Sequence, residues 1–436
     1  MHCHSHFKGS AVTTVLMVLF TVGYSAIALE HFLRVNKAVS ALLTGVFCWT
    51  IFILASNQPH LVNEELTKHV GDFSGILFFL LGAMTIVELI NAHNGFDIIT
   101  NFVNVKSKRS LLWISTFITF FLSAALDNLT TTIVMISIIS KFALSKEERL
   151  LFIGMVVIAA NAGGAWTPIG DVTSTMLWIG GRVTSLGIIK ELFIPSIVSA
   201  LIPLIIVSFM IKGKLGTPEQ NQNGKAGQKI WERNVVFILG IGSLLFIPIF
   251  KSVTHLPPFM GVLFGLGILW LFTEILHAEK EDDERHRYSV TQALRNIDMG
   301  SVLFFLGILT CIAALDSAGI LNWLATSLNH SLKSPLLIDF AIGILSAIVD
   351  NVPLVAGTMG MYSLQNYAVD DIFWTFLSYC AGTGGSILII GSAAGVAAMG
   401  LARINFIWYL KKISLPAFLG YAGGAAAFIV FRLLLN

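Results

Sequence analysis

Long apolar runs separated by short polar or basic segments dominate the chain. They cover residues 11–28, 38–55, 73–90 and 188–211 in the first half, and 235–250, 259–276, 302–315 and 418–435 in the second. A helix needs roughly 20 apolar residues to cross a bilayer core, where lipid offers its backbone no hydrogen-bond partners. The pattern therefore predicts an all-α polytopic membrane protein.

The first apolar run admits two interpretations. It ends in Ala26-Ile27-Ala28, which resembles a signal-peptide cleavage sequence, but it is longer than the usual apolar core of a signal peptide. We therefore favour a retained transmembrane helix. Residues 94–105 are too polar to span and predict a short helix at the membrane interface.

The pair Asp127-Asn128 interrupts one apolar region and leaves two arms, each shorter than a span. Basic residues flank both outer ends; they are Lys106, Lys108 and Arg109 before, and Lys141, Lys146 and Arg149 after. Lys and Arg concentrate on the cytoplasmic side, so both ends are placed there. This predicts a re-entrant helical hairpin over 110–142. The alternative, one long kinked helix, would put the basic clusters on opposite faces.

A second pair, Asp350-Asn351, follows at a distance of 350 − 127 = 223 positions and again divides an apolar region. Its outer flank carries Asp370 and Asp371 and few basic residues. The segment 335–367 is therefore predicted to be a hairpin that enters from the outside.

Glycine and proline interrupt two further spans. One break runs from Asn161 to Asp171 within 150–180, and the other includes Gly382 to Ser386 and Gly391-Ser392 within 372–402. Regular helix cannot continue through these residues, so each segment is predicted to be a broken transmembrane helix.

These elements divide the chain into two halves, 1–211 and 231–436, joined by a cytoplasmic linker at 212–230 that is rich in Gly, Gln and Asn. The charge bias predicts ten full spans, two hairpins and both termini outside. The halves then have opposite orientations. Such an inverted repeat is typical of secondary transporters.

The composition agrees with a membrane protein and excludes other classes. Of 436 residues, 55% are hydrophobic and 12% are charged, and the net charge is +2. We therefore expect the lipid bilayer as a partner and no nucleic acid. The cysteines have no paired spacing, so no disulfide, zinc site or cofactor is expected. Enzyme motifs such as a Gly-x-Ser-x-Gly nucleophile turn are absent from the spans.

Polar residues at the four interruptions are the candidate ion-binding and proton-coupling residues. They are Asp127, Asn128, Thr130, Thr131, Asn161, Asp171, Thr173, Ser346, Asp350, Asn351, Thr383 and Ser386. These side chains, apart from the amide nitrogens of Asn, offer only oxygen ligands, as small hard cations prefer. We expect Na⁺ at Asp127, Asn128, Asn161, Asp350 and Asn351.

A carboxyl group buried in the membrane can bind either a cation or a proton. Burial favours the protonated form and a bound cation favours the ionised form, so Na⁺ and H⁺ exclude each other. Asp127 shares its half with Asn161 and Asp171, whereas Asp350 is expected to have only hydroxyl and backbone neighbours. Asp127 is therefore predicted to be the principal carboxylate. Both acids also suit a helix cap, which is compatible with ion binding.

Four further acids are assigned no role in the site. Glu88, Glu274, Asp316 and Asp339 are expected near the membrane interface, where a long acidic side chain reaches water.

Three motifs together resemble the NhaD-type sodium/proton antiporters of the ion transporter superfamily. They are ALDNLTTT at 125–132, NAGGAWTPIGDVTS at 161–174 and VDNVPLVA at 349–356. The resemblance implies a bacterial inner-membrane antiporter that exchanges Na⁺ or Li⁺ for H⁺ in pH homeostasis, and a homodimer. It also implies functional roles for Asp127, Asn128, Thr130, Asn161, Asp171, Thr173, Ser346, Asp350 and Asn351. Ser174 stands where the family pattern has Thr.

The runner-up function is a sodium-coupled dicarboxylate or citrate symporter, or an arsenite-type exporter, of the same superfamily. An anion site would need cationic donors near the hairpin tips, which are the two Asp-Asn pairs. The two aspartates repel anions. No Lys or Arg occurs in either tip or either break. Sodium/proton exchange is therefore favoured.

Overall fold

A computed structural model describes residues 10–28, 30–98, 105, 107–215 and 230–435. In the first half, the helices are α1 (Ser10–Ala28), α2 (Glu30–Leu33), α3 (Lys37–Ala55), α4 (Pro59–Ala92), α5 (Lys108–Ser123), α6 (Asn128–Ser140), α7 (Lys146–Ala165), α8 (Val172–Ile179) and α9 (Ser185–Met210). In the second half, they are α10 (Ile230–Thr254), α11 (Pro258–Leu276), α12 (Asp282–Arg287), α13 (Val290–Asn296), α14 (Met299–Ser317), α15 (Ile320–Leu332), α16 (Pro335–Leu345), α17 (Asn351–Met361), α18 (Ile372–Gly384), α19 (Ala393–Ala402), α20 (Phe406–Lys412) and α21 (Ser414–Leu435).

The predicted all-α membrane architecture is confirmed. Eight of the described helices are long and apolar enough to cross a membrane, and α19 with α20 would add a ninth although the pair is bent by 116°. No strand occurs within the described ranges, which hold one isolated bridge between Ser107 and Lys214. Most of the predicted interfacial helix at 94–105 and of the linker at 212–230 lies outside the described residues.

The support helices of the two halves pack against each other. α3 lies along α14, and α4 lies along α11. Gly307 allows the first of these approaches, because a Cβ there would lie 2.6 Å from the backbone nitrogen of Leu42. α10 and α11 also pack together and expose large apolar side chains such as Ile238 and Leu271, as lipid-facing helices do.

All four predicted interruptions are breaks between helices. In each, a side chain caps the helix that follows: Asp127 caps α6, Asp171 caps α8, Asp350 caps α17 and Ser392 caps α19. Each cap accepts a hydrogen bond from a backbone amide that would otherwise lack a partner. The second arm around Asp350 is shorter than predicted, since α17 ends at Met361.

Contacts at the helix ends place the outer ends of each divided segment together. Lys108, at the start of α5, pairs with Glu148 of α7 at 2.7 Å, just after α6 has ended. Tyr362, which follows α17, donates to Asn329 shortly before α16, at 3.0 Å. A different contact joins the two broken segments: Thr184, which follows α8, donates to the Asp370 carboxylate before α18, at 2.7 Å.

The same two close contacts recur in both halves. A Cβ at Gly163 would lie 2.1 Å from the Phe120 carbonyl oxygen, and one at Gly384 would lie 2.0 Å from that of Gly343. α5 therefore crosses α7 as α16 crosses α18. A serine hydroxyl bridges each crossing: Ser123 donates to Ala160 at 2.6 Å, and Ser346 to Ala381 at 2.9 Å.

One interfacial acid was predicted wrongly. Asp339 is 0% exposed on α16, whereas Glu274 is partly exposed and pairs with Arg285 at 3.1 Å. Hydropathy alone does not give the rotation of a helix, and the Asp339 side chain points into the protein rather than toward the interface.

Candidate functional site

Asp171 joins the two Asp-Asn pairs, one from each half of the chain, through hydrogen bonds to its carboxylate. Its side chain is 2% exposed at the start of α8. One carboxylate oxygen accepts from Asn128 Nδ2 at 3.0 Å, and the other accepts from Asn351 Nδ2 at 3.2 Å. The Thr173 hydroxyl also donates to this second oxygen. The asparagines of both Asp-Asn pairs therefore bind one carboxylate.

Asn161 extends this network to the second broken segment. Its Oδ1 accepts from Asn128 Nδ2 at 3.0 Å, and its own Nδ2 donates to Ser392 Oγ at 2.9 Å. We call the resulting set the Asp171 network; it comprises Asn128, Asn161, Asp171, Thr173, Asn351 and Ser392. Ser392 was not among the candidates, although it occupies the place in the second break that Asp171 has in the first.

The turn that holds Asp171 is fixed by its own hydroxyl groups. Ser174 donates to the backbone carbonyl of Asp171 at 2.8 Å, and Thr175 donates to that of Pro168 at 2.9 Å. Both hydroxyls are buried. Ser174, where a threonine was expected, therefore makes a hydrogen bond to the turn.

Asp127 lies beside the network in a small cavity. The backbone amide and the hydroxyl of Thr130 donate to its two oxygens at 2.7 and 2.6 Å. Asp127, Asn128 and Asp171 all line a cavity of about 70 Å³ between α4, α6 and α14. Such a cavity exceeds the roughly 10–15 Å³ that one water needs, so a cation with part of its hydration shell fits there.

Asp350 has a partner that the sequence did not predict. Lys37 Nζ, at the start of α3, lies 2.8 Å from its carboxylate, and the side chains are 19% and 15% exposed. Both line a pocket of about 610 Å³ together with Glu30 and Arg403. The expectation that Asp350 has only hydroxyl and backbone neighbours was therefore wrong.

The remaining hydroxyl candidates are divided between backbone contacts and unpartnered groups. Thr383 donates to the Tyr379 carbonyl at 2.6 Å, and Ser386 donates to that of Thr383 at 2.7 Å. These two therefore stabilise α18 and the turn after it. The candidate Thr131 and its neighbour Thr132, which was not a candidate, are buried without a partner for their hydroxyls. Their oxygens are therefore free to take a ligand.

Comparison with known proteins agrees with the motifs. The sequence model of the family described as "Citrate transporter" matches residues 9–377. "Sodium/proton antiporter 1" of Arabidopsis thaliana is 48% identical over 95% of this chain and 72% of its own length. "Sodium/proton antiporter 2" of the same plant is 45% identical over 95% and 98%.

Bacterial relatives align over a similar extent. The "Na(+)/H(+) antiporter NhaD" of Alkalimonas amylolytica is 30% identical over 96% of this chain and 90% of its own length, and that of Vibrio cholerae is 29% identical over 99% and 93%. These relatives are transporters and not enzymes. The chain belongs to the citrate transporter family and, within it, to the NhaD-type sodium/proton antiporters.

Proposed function

We propose that the chain is a secondary active transporter that exchanges Na⁺ or Li⁺ for H⁺ by alternating access. The observation that carries the proposal is the shared Asp171 carboxylate, which accepts hydrogen bonds from both Asn128 and Asn351. A cation and a proton cannot both occupy one carboxylate, so their competition couples the two fluxes.

Sodium binding requires a change in the Asp171 network. Asn128 and Asn351 present amide donors to Asp171, whereas Na⁺ needs oxygen ligands. Rotation of each side chain by half a turn would bring Oδ1 to the carboxylate in place of Nδ2. Asp127 and Thr130, which also line the small cavity, would then supply further oxygens.

Lys37 gives Asp350 a different part in the exchange. Its ammonium group neutralises the Asp350 carboxylate. Arg403 and Glu30 in the same pocket also have opposite charges, so the pocket has no net positive charge that would attract an anion. We propose that the lysine competes with the transported cation for Asp350. The Lys37–Asp350 pair would then hold the second tip in place when no sodium is bound.

The inverted repeat remains our proposal for how access alternates. It is supported by the matching helix crossings at Gly163 and Gly384 and by the outer-end contacts of Lys108 and Tyr362. The hairpin of α5 and α6 would open to the cytoplasm and that of α16 and α17 to the outside. Movement of the tips relative to α3, α4, α11 and α14 would expose the site to each side in turn.

Opposite labelling of two single cysteines tests this arrangement. Ser145, at the start of α7, and Asn366, in the loop before α18, are both exposed. We expect Ser145→Cys and Asn366→Cys to react with a membrane-impermeant maleimide from opposite sides of sealed vesicles. Cys48, Cys311 and Cys380 are buried and serve as the unlabelled background. Cys3, which lies outside the described residues, is replaced by Ser in both variants. Labelling from one side only would refute the inverted repeat.

In everted vesicles with an acidic interior, the wild-type protein should raise the internal pH only when Na⁺ or Li⁺ is added outside, because H⁺ leaves as the cation enters. K⁺ should have no effect. Citrate should not drive sodium movement, and its own movement should not depend on sodium. The measurement is proton flux against each cation across pH, with vesicles that lack the protein as the control. Sodium-dependent uptake of labelled citrate with no proton flux would instead favour the symporter.

Two further properties are proposed from the resemblance. Relatives from bacteria and from a plant align over nearly the whole chain, so the membrane could be either a bacterial inner membrane or its counterpart in a plant cell. We retain the bacterial inner membrane as the proposal, with a role in pH homeostasis. A homodimer is likewise proposed.

A further inference from the structure

Asp339 is a fully buried carboxyl group that the proposed exchange site does not use. It lies on α16 and is 0% exposed, and neither of its oxygens has a hydrogen-bond partner. None of the ion pairs among the described residues includes it. An unpartnered acid inside a membrane protein is costly to keep, and such groups mark ion or proton pathways.

In the described part of the chain, the groups that interact electrostatically with Asp339 include no cation. Its electrostatic neighbours come from the loop after α17, from α18 and from α21; they are Tyr362, Tyr367, Asp371, Cys380 and Tyr421. The Tyr421 hydroxyl is already donated to the Phe340 carbonyl at 2.8 Å. The neutral carboxylic acid is the form that such surroundings accept, because an ionised group there would lack both a counter-ion and a donor.

Asp339 lies near the start of α16 and away from the Asp171 network. α16 begins at Pro335, about one helical turn before it. Asp371, which faces it, caps α18 at the same end of the protein as Tyr362. The rest of α16 and the Ser346–Ala381 contact separate it from Asn351 at the tip.

The fold does not need an acid at this position. The corresponding residue of the first half (339 − 223) is Thr116 on α5, and its hydroxyl is also buried without a partner. A threonine therefore occupies the same place in the α5 crossing. The carboxyl group of Asp339 is an addition in the second half alone.

We propose that Asp339 is a second proton-binding site of the transporter. It takes up a proton from water on one side of the membrane and, as the α16–α17 segment moves, releases it to water on the other side. Only an O–H bond forms and breaks, and hydronium is the donor. The proposal rests on the proposed sodium/proton exchange and adds one proton to the cycle that the Asp171 network does not carry.

The test compares Asp339→Asn with the wild-type full chain in proteoliposomes. Asp339→Asn should keep exchange of labelled Na⁺ against unlabelled Na⁺, because the sodium ligands are untouched. It should lose one proton per transported sodium ion, measured as the shift in the pH gradient that halts sodium flux at a fixed sodium gradient. An unchanged gradient would overturn the proposal.

Three further measurements keep the result interpretable. Thr116→Val, the matched change in the first half, should leave the proton ratio unchanged, and Asp339→Glu should retain the wild-type ratio. If Asp339→Asn does not fold, the wild-type protein is treated with an apolar carbodiimide, which modifies protonated buried carboxyls; the absence of an adduct at Asp339 would overturn the proposal. Failure of the proposed function is distinct, since the wild-type protein would then show neither Na⁺/Na⁺ nor Na⁺/H⁺ exchange.

Discussion

Asp171→Asn is expected to abolish sodium-dependent proton movement while the protein remains folded in the membrane. The charged carboxylate lies between Asn128 and Asn351 and is the counter-ion of the proposed sodium site. Removal of one partner of a buried ion pair costs about 3–5 kcal/mol. Every 1.4 kcal/mol changes an equilibrium about tenfold, so sodium binding should weaken by at least about 100-fold. The amide of Asn does not ionise, so it also cannot bind and release the transported proton.

The measurement is proton flux in everted vesicles at matched protein levels, with and without Na⁺. Asp298→Asn is the control, because Asp298 caps α14 at an exposed position and Asn caps helices equally well. This variant should exchange at the wild-type rate. Wild-type flux in Asp171→Asn, combined with loss in Asp127→Asn, would instead support the prediction from the sequence that Asp127 is the principal carboxylate.

The helix breaks could be predicted because their signals are local. An Asp-Asn pair or a Gly-Gly-x-x-x-Pro sequence within an apolar run is visible without knowing what packs against it. The repeat of the pairs predicted that Asn128 and Asn351 belong to one site, and the first break made Asn161 and Asp171 further candidates. The structure brings all four together.

The partner of Asp350 could not be predicted in this way. Lys37 lies 313 positions away in sequence and occurs at the start of an ordinary apolar helix. Nothing in a hydropathy pattern distinguishes a lysine that reaches water from one that turns inward to an acid. The argument that no cation lies near either tip was correct for the sequence but wrong for the folded chain.

The direction of the hydroxyl groups in the second break could not be predicted from the sequence either. Thr383 and Ser386 were selected because they interrupt an apolar segment, yet both donate to backbone carbonyls of α18. Hydroxyls in helices commonly make this local bond, so their presence in a break does not show where they point. Ser392 reaches Asn161 because it is the cap of α19 and not part of a helix interior.

Gly384→Ala is expected to destabilise the protein by about 3 kcal/mol, at the upper end of the usual cost of overpacking a core. The added Cβ would lie 2.0 Å from the Gly343 carbonyl oxygen, and backbone cannot move aside as a flexible side chain does. α16 would have to shift from α18, which would stretch the Ser346–Ala381 hydrogen bond and displace Asn351 from Asp171. Thermal unfolding of the detergent-purified protein, together with sodium-dependent proton flux, measures both effects.

Gly400→Ala is the matched control. Gly400 lies on α19 of the same half, and a Cβ there meets no atom within 4 Å. Alanine should stabilise that helix by up to about 1 kcal/mol, because glycine costs roughly this amount in a helix interior. Gly163→Ala, whose Cβ would meet the Phe120 carbonyl at 2.1 Å, should fail as Gly384→Ala does. If Gly163→Ala and Gly384→Ala behave alike while Gly400→Ala is active, the two crossings serve the same purpose. Full activity in Gly384→Ala would contradict both the steric argument and the link from that crossing to the Asp171 network.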